Sequence, residues 1–173
     1  MRVSFDLDEV LFVDPERYET EPMLSFPFNR LFPERLRKGT VDLIHTLQDR
    51  GVEVWVYTSS YRTVTYIKAL FRHYGVHFDD IVNGERHEKE VQGNKKRPMP
   101  TKMPGFYHIS LHVDDEISVV QNGQANGFRV IRVYEPDPRW ADKILAEVER
   151  IEKFERLQAV HDEVIDRLKK RFE

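Results

Sequence analysis

The sequence predicts an α/β domain with five short strands in a mainly parallel sheet between two layers of helices, followed by a long carboxyl-terminal helix. Two patterns predict it. Short β-branched or aromatic runs alternate with amphipathic stretches along the first 135 or so residues. Beyond Pro138, apolar residues recur at helical steps to the end of the chain. With 173 residues and 40% hydrophobic content, the chain can bury one sizeable core but not two ordinary ones.

The first strand is expected over Val3 to Leu7 and the second over Val52 to Thr58, where Val52, Val54, Trp55, Val56 and Tyr57 give the apolar density of a strand buried on both faces. A weaker third covers Asp80 to Val82. The fourth runs from Tyr107 to Val113 and the fifth from Phe128 to Tyr134, after a Gly127 suited to ending a helix. Helical patterns lie between them: Thr40 to Arg50 closed by Gly51, Tyr61 to Tyr74 closed by Gly75 and capped by Ser59 or Ser60, and Glu116 to Ala125. Right-handed crossovers place all strand carboxyl ends on one edge, where open α/β sheets bind ligands.

Two connections exceed the usual two to six residues. The first, Val13 to Lys38, carries four prolines among Tyr18, Phe26, Phe28 and Phe32, and reads as a loop with at most one helix. Its aromatic residues suit either a small satellite core or stacking on a nucleobase. The second, Asn83 to Phe106, holds the basic cluster Lys95-Lys96-Arg97. Both are expected to overhang the ligand edge. In the tail, Trp140, Ile144, Val148, Ile151, Phe154, Leu157, Val160, Val164, Leu168 and Phe172 form the stripe, with i,i+4 pairs such as Glu149 with Lys153 and Asp166 with Lys170 on its flanks. So long a helix serves either to pack across the parent domain or to pair with a second copy in a homodimer.

Composition excludes several chemistries. The absence of cysteine removes disulfides, thiolate metal sites and a cysteine nucleophile. Lys and Arg (27) nearly balance Asp and Glu (30), for a net charge of -3, so no bulk attraction to nucleic acid is expected. The first carboxylate, Asp6, comes too early for the apolar region of a signal peptide, and no run reaches membrane-spanning length. A soluble cytoplasmic protein without membrane partners is the expectation.

The polar residues gather at strand ends. Asp6 and Asp8 sit two apart, on one face if the strand persists and on different faces if the chain curls. Paired carboxylates repel unless a divalent cation joins them, and hard oxygen ligands suit magnesium; turn or capping aspartates are the plainer alternative. Thr58 closes the second strand, and Asp114-Asp115 closes the fourth. Lys102 lies a short lead before that strand, closer than Lys95 and Lys96. His108 and His112 are expected on the same strand face as Asp114, a spacing compatible with zinc but better explained by packing or hydrogen bonding within the sheet. Arg62 suits either a substrate anion or a helix surface.

Taken in order, Asp6-Leu7-Asp8-Glu9-Val10-Leu11, Tyr57-Thr58-Ser59, Lys102 and Val113-Asp114-Asp115 resemble the four motifs of the haloacid dehalogenase superfamily, over residues 1 to 135. The resemblance implies a Rossmann-like three-layer α/β/α catalytic domain over residues 1–137, with a short insertion loop at 13–38, a long basic loop at 83–106 and a helical extension at 138–173. It implies a nearly capless magnesium-dependent phosphatase that hydrolyses a phosphate monoester, a small metabolite or nucleotide, through an aspartyl phosphate. Asp6 would be the nucleophile and Asp8 the general acid and then base. Thr58, with Ser59 and Lys102, would bind the phosphoryl group. Asp6, Asp8 (through its backbone carbonyl), Asp114 and Asp115 would form the metal site. The Asp-Asp fourth motif departs from the commoner Gly-Asp form and leaves the division of labour between Asp114 and Asp115 open. A nucleic-acid-end or protein phosphatase and a non-enzymatic phosphate-responsive scaffold are the alternatives.

Overall fold

A computed structural model describes the backbone of residues 1–172 and the side chains of residues 1–169. The proposed Asp166–Lys170 pair and the last stripe residue, Phe172, therefore involve side chains outside the described residues. Five strands, β1 (Arg2–Phe5), β2 (Glu53–Tyr57), β3 (Asp80–Val82), β4 (Leu111–Asp114) and β5 (Val130–Arg132), form one sheet in the order β3-β2-β1-β4-β5. Every pairing is parallel. Phe5 pairs with both Val56 and Val113, so the carboxyl ends of the three central strands are level.

The connections fix what covers each face. Helices α2 (Thr40–Asp49) and α3 (Val64–His73) carry the chain outward from β1 through β2 to β3, after the four-residue α1 (Phe28–Leu31). The chain then crosses to the other side of β1, and α5 (Ile117–Asn126) joins β4 to β5. Right-handed crossovers running in opposite directions put their connections on opposite faces. Strand alternation agrees: Val3, Phe5, Val54, Val56, Leu111 and Val113 pack with α2, α3 and the first half of α6 (Trp140–Phe172), whereas Trp55 and Tyr57 face a second cluster with Val82, Val91, Tyr107 and Ile109. The strand order reverses between β1 and β4, the crevice where open α/β sheets bind ligands.

Several boundaries differ from the sequence expectation. β1 stops at Phe5, two residues early, because the chain turns at once: Leu11 and Phe12 both donate to the Leu7 carbonyl, and Glu9 takes the left-handed conformation at φ 58°. β4 begins at Leu111 rather than Tyr107, since Pro104 to Tyr107 form a 3-10 turn and His108 is left-handed at φ 53°. His108 is thus exposed and off the strand, which removes it from the face it was expected to share with His112 and Asp114. The cap of α3 is Thr63, whose hydroxyl accepts from the Tyr66 amide at 3.2 Å, and not Ser59 or Ser60.

The 13–38 segment holds only α1 and returns to its origin, with isolated bridges joining Phe12 to Leu36 and Thr20 to Arg37. The 83–106 segment is no structureless overhang. It comprises α4 (Gly84–His87), a π-helical turn at Glu88–Gln92 and the 3-10 turn, and it covers the second sheet face with Val91, Met99 and Met103. Along α6, Trp140, Ile144, Val148 and Ile151 are buried while Phe154, Leu157, Val160, Val164 and Leu168 are exposed. Among the described residues no helix is long and apolar enough to cross a membrane.

Candidate active site

Asp6 is the first residue beyond β1, and its amide still donates to the Val113 carbonyl of β4 at 2.9 Å. That bond keeps it in sheet register, so its side chain turns to the second face, beside Asp114 of β4. Lys102 reaches the same point from the 83–106 segment. Its Nζ lies 2.6 Å from Asp6 Oδ2 and 2.5 Å from Asp114 Oδ2, and all three side chains are buried. The long lead from α4 to β4 crosses the second face, which is how a residue twelve positions before Asp114 comes to contact it. Lys95 and Lys96 are exposed, and Lys95 Nζ donates to the Val91 carbonyl instead.

Asp115 completes a set of three carboxylates, with Asp6 and Asp114, whose oxygens lie within 4.8 Å of one another. Three hard oxygen donors and no soft or imidazole donor in the set suit a hard divalent cation. The remaining oxygens are held locally: the Leu7 amide donates to Asp6 Oδ1 at 2.8 Å, and the Glu116 amide to Asp114 Oδ1 at 2.8 Å.

The environment drives these groups apart. Burial, with help from the Asp114 charge, raises the Asp6 pKa despite the neighbouring Lys102. Burial also raises Asp115, to about 6, with Asp114 and Asp6 adding to the shift. Asp114 is opposite: burial resists its ionisation, but contacts from His112 and Lys102 outweigh that and hold it at about 2. Complete burial lowers the His112 pKa, and its hydrogen bond is the largest of the contacts that favour the Asp114 carboxylate. Burial disfavours the Lys102 ammonium, yet Asp6 and Asp114 more than compensate and raise its pKa.

Asp8 does not join the carboxylate set. The turn at Glu9 swings its side chain outward, half exposed, where Oδ2 accepts from Arg62 Nη1 at 2.8 Å. Arg62 is shared with Glu34 of the 13–38 segment at 3.3 Å, and Glu34 in turn accepts from Tyr66 at 2.6 Å. Thr58 is buried just past β2, with its hydroxyl accepting from the Ser60 amide at 3.1 Å, while Ser59 is exposed. Sequence reasoning did not find Glu34 or Tyr66, which no local pattern links to Asp8. It also missed Ser4, although strand alternation places Ser4 on the face of Asp6.

No protein-family model and no curated protein sequence matches the chain. Solved structures do. A HAD-superfamily hydrolase of subfamily IA, variant 1, from Geobacter sulfurreducens aligns at TM-score 0.51 and 18% identity over 79% of this chain and 91% of its own. A predicted HAD-like family hydrolase from Porphyromonas gingivalis gives 0.52 at 13% identity over 86% and 97%. A chain of the Pnkp1/Rnl/Hen1 complex gives 0.53 at 13% identity, over 79% of this chain and 46% of its own. Likeness at such identities is a likeness of backbone. The chain has the fold of the haloacid dehalogenase (HAD) superfamily hydrolases.

Proposed function

We propose that the protein is a magnesium-dependent phosphatase that hydrolyses a phosphate monoester through an aspartyl phosphate on Asp6. The observation that carries this reading is the buried Asp6 carboxylate at the β1/β4 switch point, bridged by Lys102 to Asp114 with Asp115 alongside. Asp6, Asp114 and Asp115 would hold the magnesium ion, which when bound neutralises charge on the nucleophile and the phosphate.

One carboxylate oxygen of Asp6 attacks phosphorus, forming an O–P bond as the bond to the leaving oxygen breaks. Asp8 gives that oxygen a proton, which requires its carboxyl group to leave Arg62 and turn inward. Water then attacks the aspartyl phosphate, Asp8 takes up its proton, and inorganic phosphate departs with the Asp6 carboxylate restored. Lys102 offsets negative charge on Asp6 and the phosphoryl group throughout. Thr58, buried at the end of the neighbouring strand, would donate its hydroxyl to a phosphoryl oxygen.

The 13–38 segment carries a single four-residue helix and no lid domain, which suits small esters and also leaves room for a phosphorylated chain end. Release of inorganic phosphate from a panel of sugar phosphates, nucleotides, phosphopeptides and end-phosphorylated oligonucleotides, with and without magnesium, tests the reading and ranks the substrates. Asp6→Asn is expected to abolish release while its circular dichroism and melting remain those of a folded chain. Undiminished turnover in that variant would remove Asp6 as nucleophile.

A further inference from the structure

We propose that Ser4 and His112 form a buried hydrogen-bonded support that fixes the Asp114 carboxylate for magnesium, making His112 a positioning residue of the metal site. The inference rests on the metal site of the phosphatase reading. It concerns two residues that reading does not use.

Ser4 and His112 are register partners on β1 and β4. Alternation puts both on the second sheet face, one step behind Asp6 and Asp114. Central strands of a covered parallel sheet ordinarily carry apolar side chains at such positions, and a polar pair there is costly unless each group is hydrogen-bonded. Here both are. Ser4 Oγ lies 2.8 Å from His112 Nδ1, and His112 Nε2 lies 2.9 Å from Asp114 Oδ2, with all three side chains fully buried. The Tyr57 ring packs 5.7 Å from the imidazole, centroid to centroid, and holds it in place.

The direction of the chain follows from its ends. An ionised Asp114 only accepts, so His112 Nε2 must carry the proton. In the Nε2–H tautomer Nδ1 is the acceptor, and the Ser4 hydroxyl donates to it. Asp114 Oδ2 thus receives His112 on one side and Lys102 on the other, while Oδ1 receives the Glu116 amide. Without His112, the carboxylate is tethered at Oδ2 only by the end of a flexible lysine, which Asp6 also claims. Groups that orient a ligand from behind commonly govern metal affinity by about 10–100-fold.

The test is magnesium binding by calorimetry to the full chain, compared among wild type, His112→Leu, His112→Gln and Ser4→Ala. His112→Leu is expected to weaken binding by about 10–100-fold. His112→Gln, which retains an N–H toward Asp114, should recover most of the affinity, and Ser4→Ala should fall between. Independently of metal and of any variant, 15N spectra of the wild-type imidazole should show the Nε2–H tautomer. A His112→Leu chain that binds magnesium as tightly as wild type, or an Nδ1–H tautomer, would overturn the support. Should His112→Leu fail to fold, equal affinities in Ser4→Ala and wild type together with an Nδ1–H tautomer would overturn it equally. A wild-type chain that takes up no magnesium would overturn the metal reading itself, a different outcome from wild-type binding that survives loss of His112.

Discussion

A single ammonium group at Lys102 faces two buried carboxylates, and little else in the core carries charge. Replacing it by methionine keeps the volume but leaves Asp6 and Asp114 side by side without a cation. Removing one partner of a buried ionic cluster costs about 3–5 kcal/mol, and here proton uptake by one carboxylate reduces that cost. The sign of the pH dependence follows. Without Lys102, the Asp6 pKa, already raised by burial, rises further, so the folded state binds a proton that the unfolded chain does not. The deficit of Lys102→Met is therefore greatest above the raised value and shrinks as pH falls through it. Urea denaturation at pH 7.5 and pH 5 should show the gap to wild type narrowing on acidification; a gap that widens would contradict the pairing. Lys102 was legible in the sequence because its short lead to β4 favoured it over Lys95 and Lys96. The orientation of Asp8 was not, because one residue more or less of β1 reverses which way its side chain turns, and local sequence does not fix a strand end to that accuracy.

The 83–106 segment decides where Lys102 sits, and its own anchor is the Tyr57–His87 contact. Tyr57 Oη lies 2.5 Å from His87 Nδ1 and accepts from the Met103 amide at 2.9 Å, one residue from Lys102. Through Tyr57, the His87 imidazole thereby ties α4 to β2 and to the approach to Lys102. Burial is the main reason its pKa is lowered, so the unfolded chain binds a proton near pH 6.5 that the folded chain refuses. Stability contributed by neutral His87 is present above that value and is lost as pH falls below it. Asp6 and Asp115, raised by burial, act in the opposite sense over this range, so the difference is diagnostic: from pH 7.5 to pH 5.5 the thermal midpoint of the wild type should drop relative to that of His87→Leu. Identical slopes would remove His87 as the source. All five strands and the three connecting helices were legible from periodicity and turn residues. The order inside 83–106 was not: its prolines and charges resemble a loop, while its apolar residues are too few and too irregularly spaced to announce a covering layer.

At the scale of the molecule, α6 has two halves with different obligations. Trp140 Nε1 donates to the Lys38 carbonyl at 2.9 Å, beside the start of α2, and Glu149 pairs with Arg50 at 2.8 Å, just past its end. Because α2 begins at the edge that carries the candidate site and leads to the amino end of β2, α6 has crossed the domain by Glu149. Everything beyond leaves from the edge opposite the site. The apolar stripe also rotates there: steps of three from Ile151 to Phe154, Leu157 and Val160 fall short of a full turn and carry it off the face that packs on the sheet. Phe154, Leu157 and Leu168 are 55%, 62% and 46% exposed, against 1% for Ile151. In the sequence the stripe runs unbroken, since periodicity records that apolar residues recur and not what they meet. Among the described residues, ending the chain after Leu157 therefore removes no buried side chain. Scanning calorimetry should find the midpoint within about 2 °C of the full chain, a shift equivalent to about 0.5–1 kcal/mol for a domain of this size. Ile151→Ala, by contrast, opens a cavity and should cost about 2–5 kcal/mol. Phosphate release should be unchanged by the truncation, because the removed arm points away from Asp6. A truncated chain that melts far below the full one, or loses activity while still folded, would mean that the exposed half of α6 has a partner that supports the fold or the site.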